Sequence, residues 1–186
     1  MTLARAFRIQ AAANRLANHR IAQALSALAP ADFHAPRVGF FPSLAATLNH
    51  VLGVDRYYVG ALHGETDGHE AWARFVPATT AAEWAARQAD SDQRLLAFCT
   101  ALTEAGCAAE VAMPRGGGRV QRDSTGAVLM HLFMHQHHHR GQAHTMLTGA
   151  GLAAPQLDEF MMPSEAHLRA ADMAALGLDE TAIYGP

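Results

Sequence analysis

Four segments of this chain repeat their apolar residues at steps of four and three, and this repeat constrains the fold more than any other feature. Such spacing places apolar side chains along one face of an α-helix, where they pack against neighbouring helices. The segments cover residues 2–28, 43–62, 81–105 and 124–148, and prolines or glycines separate them. We therefore predict an all-α fold, an antiparallel four-helix bundle in a single domain spanning residues 1–186.

Capping residues support the predicted helix ends. Ser43 stands at the N-cap position of the second helix, and Thr80 with Glu83 forms the pattern of a capping box before the third. Gly106 is a natural end for the third helix. On the second helix, a turn of about 100° per residue points an apolar set inward and Asn49 outward.

Two regions lie outside the four helices. Residues 108–113 and 119–122 flank a Pro-Arg-Gly-Gly-Gly turn. They predict either a small hairpin or a long loop between the third and fourth helices. The tail, residues 152–186, holds short helical patterns such as residues 164–176, and we expect it to pack across the bundle.

Composition and charge exclude several classes of protein. Half of the residues are hydrophobic and 17% are charged, which is enough for a core and unlike a disordered chain. The net charge is -3 and the arginines are scattered, so nucleic acid is not an expected partner. No apolar stretch approaches the ~20 residues of a membrane span. Cys99 and Cys107 fit no disulfide framework, which favours reduced thiols in a cytoplasmic protein.

Histidines occupy core-facing positions of the second and fourth helices. His135 and His139 continue the apolar repeat of the fourth helix and lie one turn apart on one face. His50 lies on the inward flank of the second helix. Imidazoles on facing helices can hold one divalent ion and leave a coordination position open. We therefore predict a metal site made by His50, His135 and His139.

The same histidines also have a plainer interpretation. The chain contains 12 histidines, and the run from His135 to His139 is compatible with a solvated polar patch. The core-facing position favours a metal, because buried imidazoles without partners are costly. His137 is expected at the surface, and His138 is ambiguous. His131 is expected beside the site, with membership of the coordination sphere left open.

Polar side chains also occupy inward positions where apolar residues are usual. These residues are Asn14, Asn18, Asp55 and Gln142. In one interpretation they orient the imidazoles or a substrate. In the other they bridge helices or pair with charged groups inside the core. The sequence leaves both interpretations open.

Several of these residues lie in motifs that resemble those of the DinB family of damage-inducible proteins. The resemblance covers essentially the whole chain, and the motif of the fourth helix is the most specific. The motifs are Asn14-Arg-Leu-Ala-Asn18, Phe41-Pro-Ser-Leu-Ala-Ala-Thr-Leu-Asn-His50 followed by Asp55, His131-Leu-Phe-Met-His135-Gln-His-His-His139-Arg-Gly-Gln142, and Pro155-Gln-Leu-Asp158.

The resemblance implies a four-helix bundle, often a homodimer, with a zinc or nickel ion on His50, His135 and His139. Enzymes of the wider superfamily are transferases and isomerases that use a low-molecular-weight thiol such as bacillithiol, mycothiol or glutathione. Many family members have no assigned reaction. The resemblance therefore implies a small-molecule substrate or a thiol cosubstrate, and it identifies no catalytic residue.

Three functions are compatible with these features. The first is a metal-dependent enzyme, a thiol transferase or a hydrolase, although Gln136 stands where a zinc protease would have its glutamate base. The second is a non-catalytic metal-binding module in a stress response, and the third is a helical bundle without metal. An open three-ligand site favours the enzyme. A fourth ligand, His131 or Asp55, would favour the module.

Overall fold

The computed structural model describes residues 1–185, which form mostly helix, as predicted, with one small sheet. None of the helices in this part of the chain is long and apolar enough to cross a membrane. Short 3₁₀ turns occupy Pro30–Phe33, Ala105–Ala108 and Pro163–Glu165. The other elements are α1 (Leu3–Leu25), α2 (Leu44–Leu62), α3 (Gly68–Ala73), α4 (Ala81–Ala101), β1 (Glu110–Pro114), β2 (Val120–Ser124), α5 (Thr125–Gly149), α6 (Ala166–Ala175) and α7 (Glu180–Tyr184).

A serine or threonine caps the N-terminus of each long helix. The side-chain oxygens of Thr2, Ser43, Thr80 and Ser124 accept hydrogen bonds from backbone N–H groups of the first turn. Each bond satisfies a donor that the helix itself leaves without a partner. The α4 helix ends at Ala101 rather than near residue 105, because the next residue is extended with ψ of 130°.

The four long helices pack together and bury two adjoining hydrophobic clusters. The α1 helix contacts α4 most extensively, and α2 packs against both α5 and α4. Leu16 and Leu132 belong to one cluster, and Ile21 and Leu52 belong to the other; all four are 0% exposed. Burial of each such side chain contributes about 1.5–3 kcal/mol. This packing holds the inner faces of α2 and α5 against each other.

The segment after α2 returns along the outer face of that helix, which corrects one prediction. Asn49 was expected to point outward, yet it is buried. Its Nδ2 donates to the carbonyl oxygen of Ala78 at 3.0 Å, and its Oδ1 accepts from the Ala78 N–H at 2.6 Å. The short α3 helix, which begins at Gly68 and was not predicted because Gly64 and Gly68 interrupt the apolar pattern, belongs to the same returning segment.

The region between α4 and α5 is a hairpin rather than a loop. The strands pair antiparallel, with Glu110 opposite Ser124, and Gly117 and Gly118 form the turn with φ of 71°. The Tyr57 hydroxyl of α2 donates to the carbonyl oxygen of Pro114 at 2.7 Å. The hairpin is therefore fastened to α2.

The C-terminal tail packs against α1 through α6 and α7. Arg20 of α1 donates to Asp172 at 2.8 Å and to Glu159 at 2.9 Å. Both carboxylates come from the tail, so charge pairing joins the tail to the first helix. The last residue of the predicted tail, Pro186, lies outside the described residues.

Candidate metal centre

His50 of α2 and His135 and His139 of α5 come together where the two helices pack. One ring nitrogen from each residue lies within 4.8 Å of the others. The Nε2 atoms of His50 and His135 are 3.0 Å apart. His50 and His135 are half-buried, and His139 is buried. We call these three residues the histidine triad.

The environment keeps two of these imidazoles neutral at pH 7. Burial is the largest cause of the lowered pKa of His50, followed by repulsion from His139. Burial, then His139 and His50, lower the pKa of His135 to about 3. A neutral imidazole keeps a lone pair available for a metal, whereas a protonated one does not. The donor set therefore suits a divalent ion.

A neighbouring amide orients one of the three rings. His139 Nδ1 lies 2.8 Å from the side-chain oxygen of Gln142, one turn further along α5. Because an amide oxygen only accepts, Nδ1 is the donor in this bond, and Nε2 remains as the ligand atom. Of the polar residues predicted to support the site, Gln142 is the one that hydrogen-bonds to a triad histidine.

Neither candidate fourth ligand belongs to the cluster. Among the described residues, no other His, Cys, Asp or Glu joins the three histidines. The exposed His131 ring packs edge-on against Tyr58, and its centroid is 6.4 Å from that of His135. Asp55 is buried and bonds to Gln88 instead. Three imidazole ligands would leave coordination positions free on a divalent ion.

Aromatic side chains cover one edge of the triad. The Phe41 ring centroid is 4.6 Å from that of His50 and 5.5 Å from that of His139. Phe40 lies 6.4 Å from His139 and is 78% exposed. In the sequence, Phe41 begins one of the motifs that resemble the DinB family, whereas nothing indicates Phe40, because the loop that carries them has no periodic pattern.

A cleft of about 240 Å³ borders the other edge of the triad. His135 belongs to both the triad and the wall of this cleft, and His131 lies beside it in the same wall. The remaining walls come from α2, from α3 and from the hairpin. A small molecule in this cleft would therefore lie next to the candidate metal centre. No local pattern in the sequence indicates this cleft, because its walls come from segments distant in sequence.

The remaining predicted residues lie in a second polar cluster inside the core. Asn14 and Asn18 of α1 donate to Asp92 Oδ1, each at 3.0 Å. Arg140 of α5 donates to the side-chain oxygens of Asn14 at 2.6 Å and Asn18 at 2.9 Å. The asparagines therefore bridge a carboxylate and a guanidinium, and they make no hydrogen bond to the triad.

Gln88 of α4 extends this cluster to α2. Its Nε2 donates to Asp55 Oδ2 at 2.7 Å and to Asp92 Oδ1 at 3.0 Å. All the members are buried, and together they connect the four long helices. We call this set the buried network; its members are Asn14, Asn18, Asp55, Gln88, Asp92 and Arg140.

Burial dominates the electrostatics of the buried network. Desolvation raises the pKa of Asp92 to about 7, with the charge of Asp55 as the next cause. Desolvation raises the pKa of Asp55 to about 6. It also lowers the pKa of Arg140 to about 10, against the attraction of both carboxylates. One cation facing two carboxylates favours retention of one proton by the pair at neutral pH.

A known protein family matches most of this chain. The sequence model of the DinB family matches residues 10–172, which include the histidine triad, the buried network and most of the tail. No curated protein and no solved structure matches the chain.

Proposed function

This chain belongs to the DinB family, and on that premise we propose that it binds one divalent metal ion through His50, His135 and His139 and acts on a small molecule. The convergence of three ligand nitrogens within 4.8 Å, from two helices, carries this proposal. Zinc or nickel is the expected ion, because both accept imidazole ligands. The proposed scaffold is an antiparallel four-helix bundle in one domain.

The surroundings of the triad favour an enzyme over a structural metal module. A structural site is closed by four protein ligands, whereas a catalytic site keeps a position for water or substrate. Here His131 and Asp55 make other contacts, and a cleft reaches His135. We propose a thiol-dependent transferase or a hydrolase.

Each nearby residue has a role in such a site. When bound, a divalent ion would supply a Lewis acid to a thiol or a water molecule. Three imidazole ligands would add no negative charge to the ion. Gln142 would hold the ring of His139 in the ligating orientation, and Phe41 would exclude water from one side.

Metal content of the purified, untagged protein tests the metal site. Elemental mass spectrometry is expected to find about one zinc, nickel or similar ion per chain, and His135→Ala is expected to lose it. His137→Ala is the matched control, because His137 is exposed on the same helix and lies outside the triad. A wild-type protein that stays empty after incubation with divalent ions would contradict the proposal.

Activity separates the enzyme from the module. The metal-loaded protein is expected to transfer a small thiol to an electrophile, or to hydrolyse a small ester or amide, and His135→Ala is expected to be inactive in the same assay. A protein that binds the ion tightly and lacks both activities would favour the module. The homodimer and the cytoplasmic location stay predictions.

A further inference from the structure

The cleft beside His135 has one strongly basic side chain and no acidic one in its walls. Arg115, at the start of the hairpin turn, is the only arginine that lines it, and no Asp or Glu among residues 1–185 does. The cleft is about 240 Å³, below the ~300–1,000 Å³ of typical sites for drug-sized ligands. Its occupant is therefore small.

Arg115 has capacity for an anion. Its Nη2 donates to Gln121 Oε1 at 2.9 Å and to the Tyr58 hydroxyl at 3.3 Å, while Nε donates to the same Gln121 oxygen at 3.2 Å. Both partners are neutral. No carboxylate within the described residues forms a salt bridge with this guanidinium, and its Nη1 makes no hydrogen bond to them, so the two Nη1 N–H groups remain for a carboxylate.

Aromatic side chains form much of the remaining wall of the cleft. The guanidinium of Arg115 lies 4.9 Å from the Tyr57 ring centroid, and Tyr57 is fixed by its bond to Pro114. On the α3 side of the cleft, the Trp72 ring packs against Gly53. The approach is so close that a Cβ added to this glycine would lie 3.3 Å from the ring. Flat aromatic walls favour a planar ligand, which can stack on them.

We propose that this cleft binds a small planar carboxylate, with the carboxylate group on Arg115, the ring among the aromatic walls and the far end towards His135. The inference deepens the proposed function by naming a substrate class, and it rests on that function for the role of the ion. Arg115 would then select the substrate, because a neutral analogue would leave its guanidinium without the opposite charge.

Benzoate is a suitable probe, and Trp72 is a suitable reporter. Trp72 lines the cleft and is 45% exposed, whereas Trp84 is 1% exposed in the core. Titration of the full-length protein with benzoate, with and without metal, is expected to quench tryptophan fluorescence saturably. Trp72→Phe is expected to abolish the change. Calorimetry of the same titration gives the dissociation constant independently of the fluorophore.

The arginine is tested by substitution. Arg115→Gln is expected to weaken benzoate binding about 10- to 100-fold, as for loss of a charged hydrogen bond. Arg122→Gln is the matched control, because Arg122 is exposed on the same hairpin and pairs with Glu110. Benzamide, which has the same ring without the charge, is expected to bind the wild-type protein as weakly as benzoate binds Arg115→Gln. Arg115→Lys, which keeps the charge, provides a second variant if the glutamine variant unfolds.

Several outcomes would overturn the inference. Absence of benzoate binding, equal binding of benzamide and benzoate, or equal binding by wild-type protein and Arg115→Gln would each do so. Binding that needs the metal and ignores Arg115 would place the carboxylate on the ion, which contradicts this inference and leaves the proposed metal centre intact. Binding that needs Arg115 in a protein that takes up no metal would support the cleft and remove the metal centre.

Discussion

The histidine triad and the buried network are two polar regions in one interior, and α5 supplies both. His135 and His139 face α2, while Arg140, one residue further on, points about 100° away into the core. The triad lies at the margin of the core, with two neutral half-buried members and a cleft beside it. The network is buried and pairs a cation with carboxylates through amides.

This difference shows that the role of a polar residue facing the core depends on its hydrogen-bond partners rather than on its position in the helix. His135 Nδ1 is buried and has no hydrogen-bond partner among residues 1–185. In contrast, Asp92 accepts hydrogen bonds from Asn14, Asn18 and Gln88. Asp55 Oδ1 and Gln88 Oε1 of the network are buried without a partner among residues 1–185, yet the other hydrogen bonds of the network join all four long helices and stabilise one arrangement of them. Three ring nitrogens that converge from two helices, with no acidic residue among them, are suited to an external ion.

The largest expected effect is on the network. Arg140→Met would leave two buried carboxylates without their cation, which costs about 3–5 kcal/mol of unfolding free energy. Urea denaturation without metal measures this loss, and Arg56→Met, at an exposed position of α2, is the control. If Arg140→Met lost less unfolding free energy than Arg56→Met, the network would contribute nothing to stability, and the contrast between the network and the triad would fail.

The triad is expected to contribute to the unfolding free energy only when metal is bound, in contrast to the buried network. At metal concentrations of about 100 to 1,000 times the dissociation constant, the unfolding free energy of the wild-type protein should rise by about 3–4 kcal/mol. His139→Ala should show no such rise, since two ligands hold the ion poorly. Its metal-free stability should change much less, because no charged partner is left behind. Equal gains with metal in both proteins would exclude His139 as a ligand.

The pH dependence of stability sharpens the contrast further. Asp92 has a pKa of about 7 in the folded state against an ordinary value of 3.8, so the folded protein retains a proton that the unfolded chain releases. This stabilisation is complete below about pH 4 and is lost as pH rises through 7, by up to about 1.4 kcal/mol per pH unit.

Asp92→Asn should remove that contribution. Between pH 5 and pH 7 the unfolding free energy of the wild-type protein should fall by about 2 kcal/mol relative to the variant. The exposed Asp90 of the same helix gives the control Asp90→Asn. Parallel pH profiles for wild type and Asp92→Asn would show that the network holds no such proton.

The smallest expected effect concerns Gln142. Among the residues predicted to support the triad, it is the one that hydrogen-bonds to a triad histidine. Gln142→Ala would release the ring of His139 and weaken metal binding about tenfold, as for other residues that orient a ligand. Competition with a chromogenic chelator measures this, with the exposed Thr145→Ala of the same helix as the control. An unchanged affinity in Gln142→Ala would mean that the amide does not orient the ligand.

Local patterns predicted much of the fold and part of the site. The serine and threonine caps marked helix starts, since capping depends on neighbours in sequence. The pair His135 and His139 followed from helical geometry alone. The sequence does not indicate that Asp92 and Gln88 join a polar network, because a carboxylate or amide in a helix gives no local sign of whether its partners are arginines, asparagines or water.

For this protein, the periodic repeat and the caps are enough to specify the long helices, most of the residues that face the core and the positions where histidines could meet. These properties depend on residues within a turn or two, whereas the burial of Asn49 depends on a segment further along the chain. Tertiary structure alone decides the rest. It places Asn14, Asn18 and Asp55 with Asp92 rather than with the histidines, and it brings Arg115 beside His135. Such partnerships join residues far apart in the chain, and only the packing of complete helices determines which of them come within hydrogen-bonding distance.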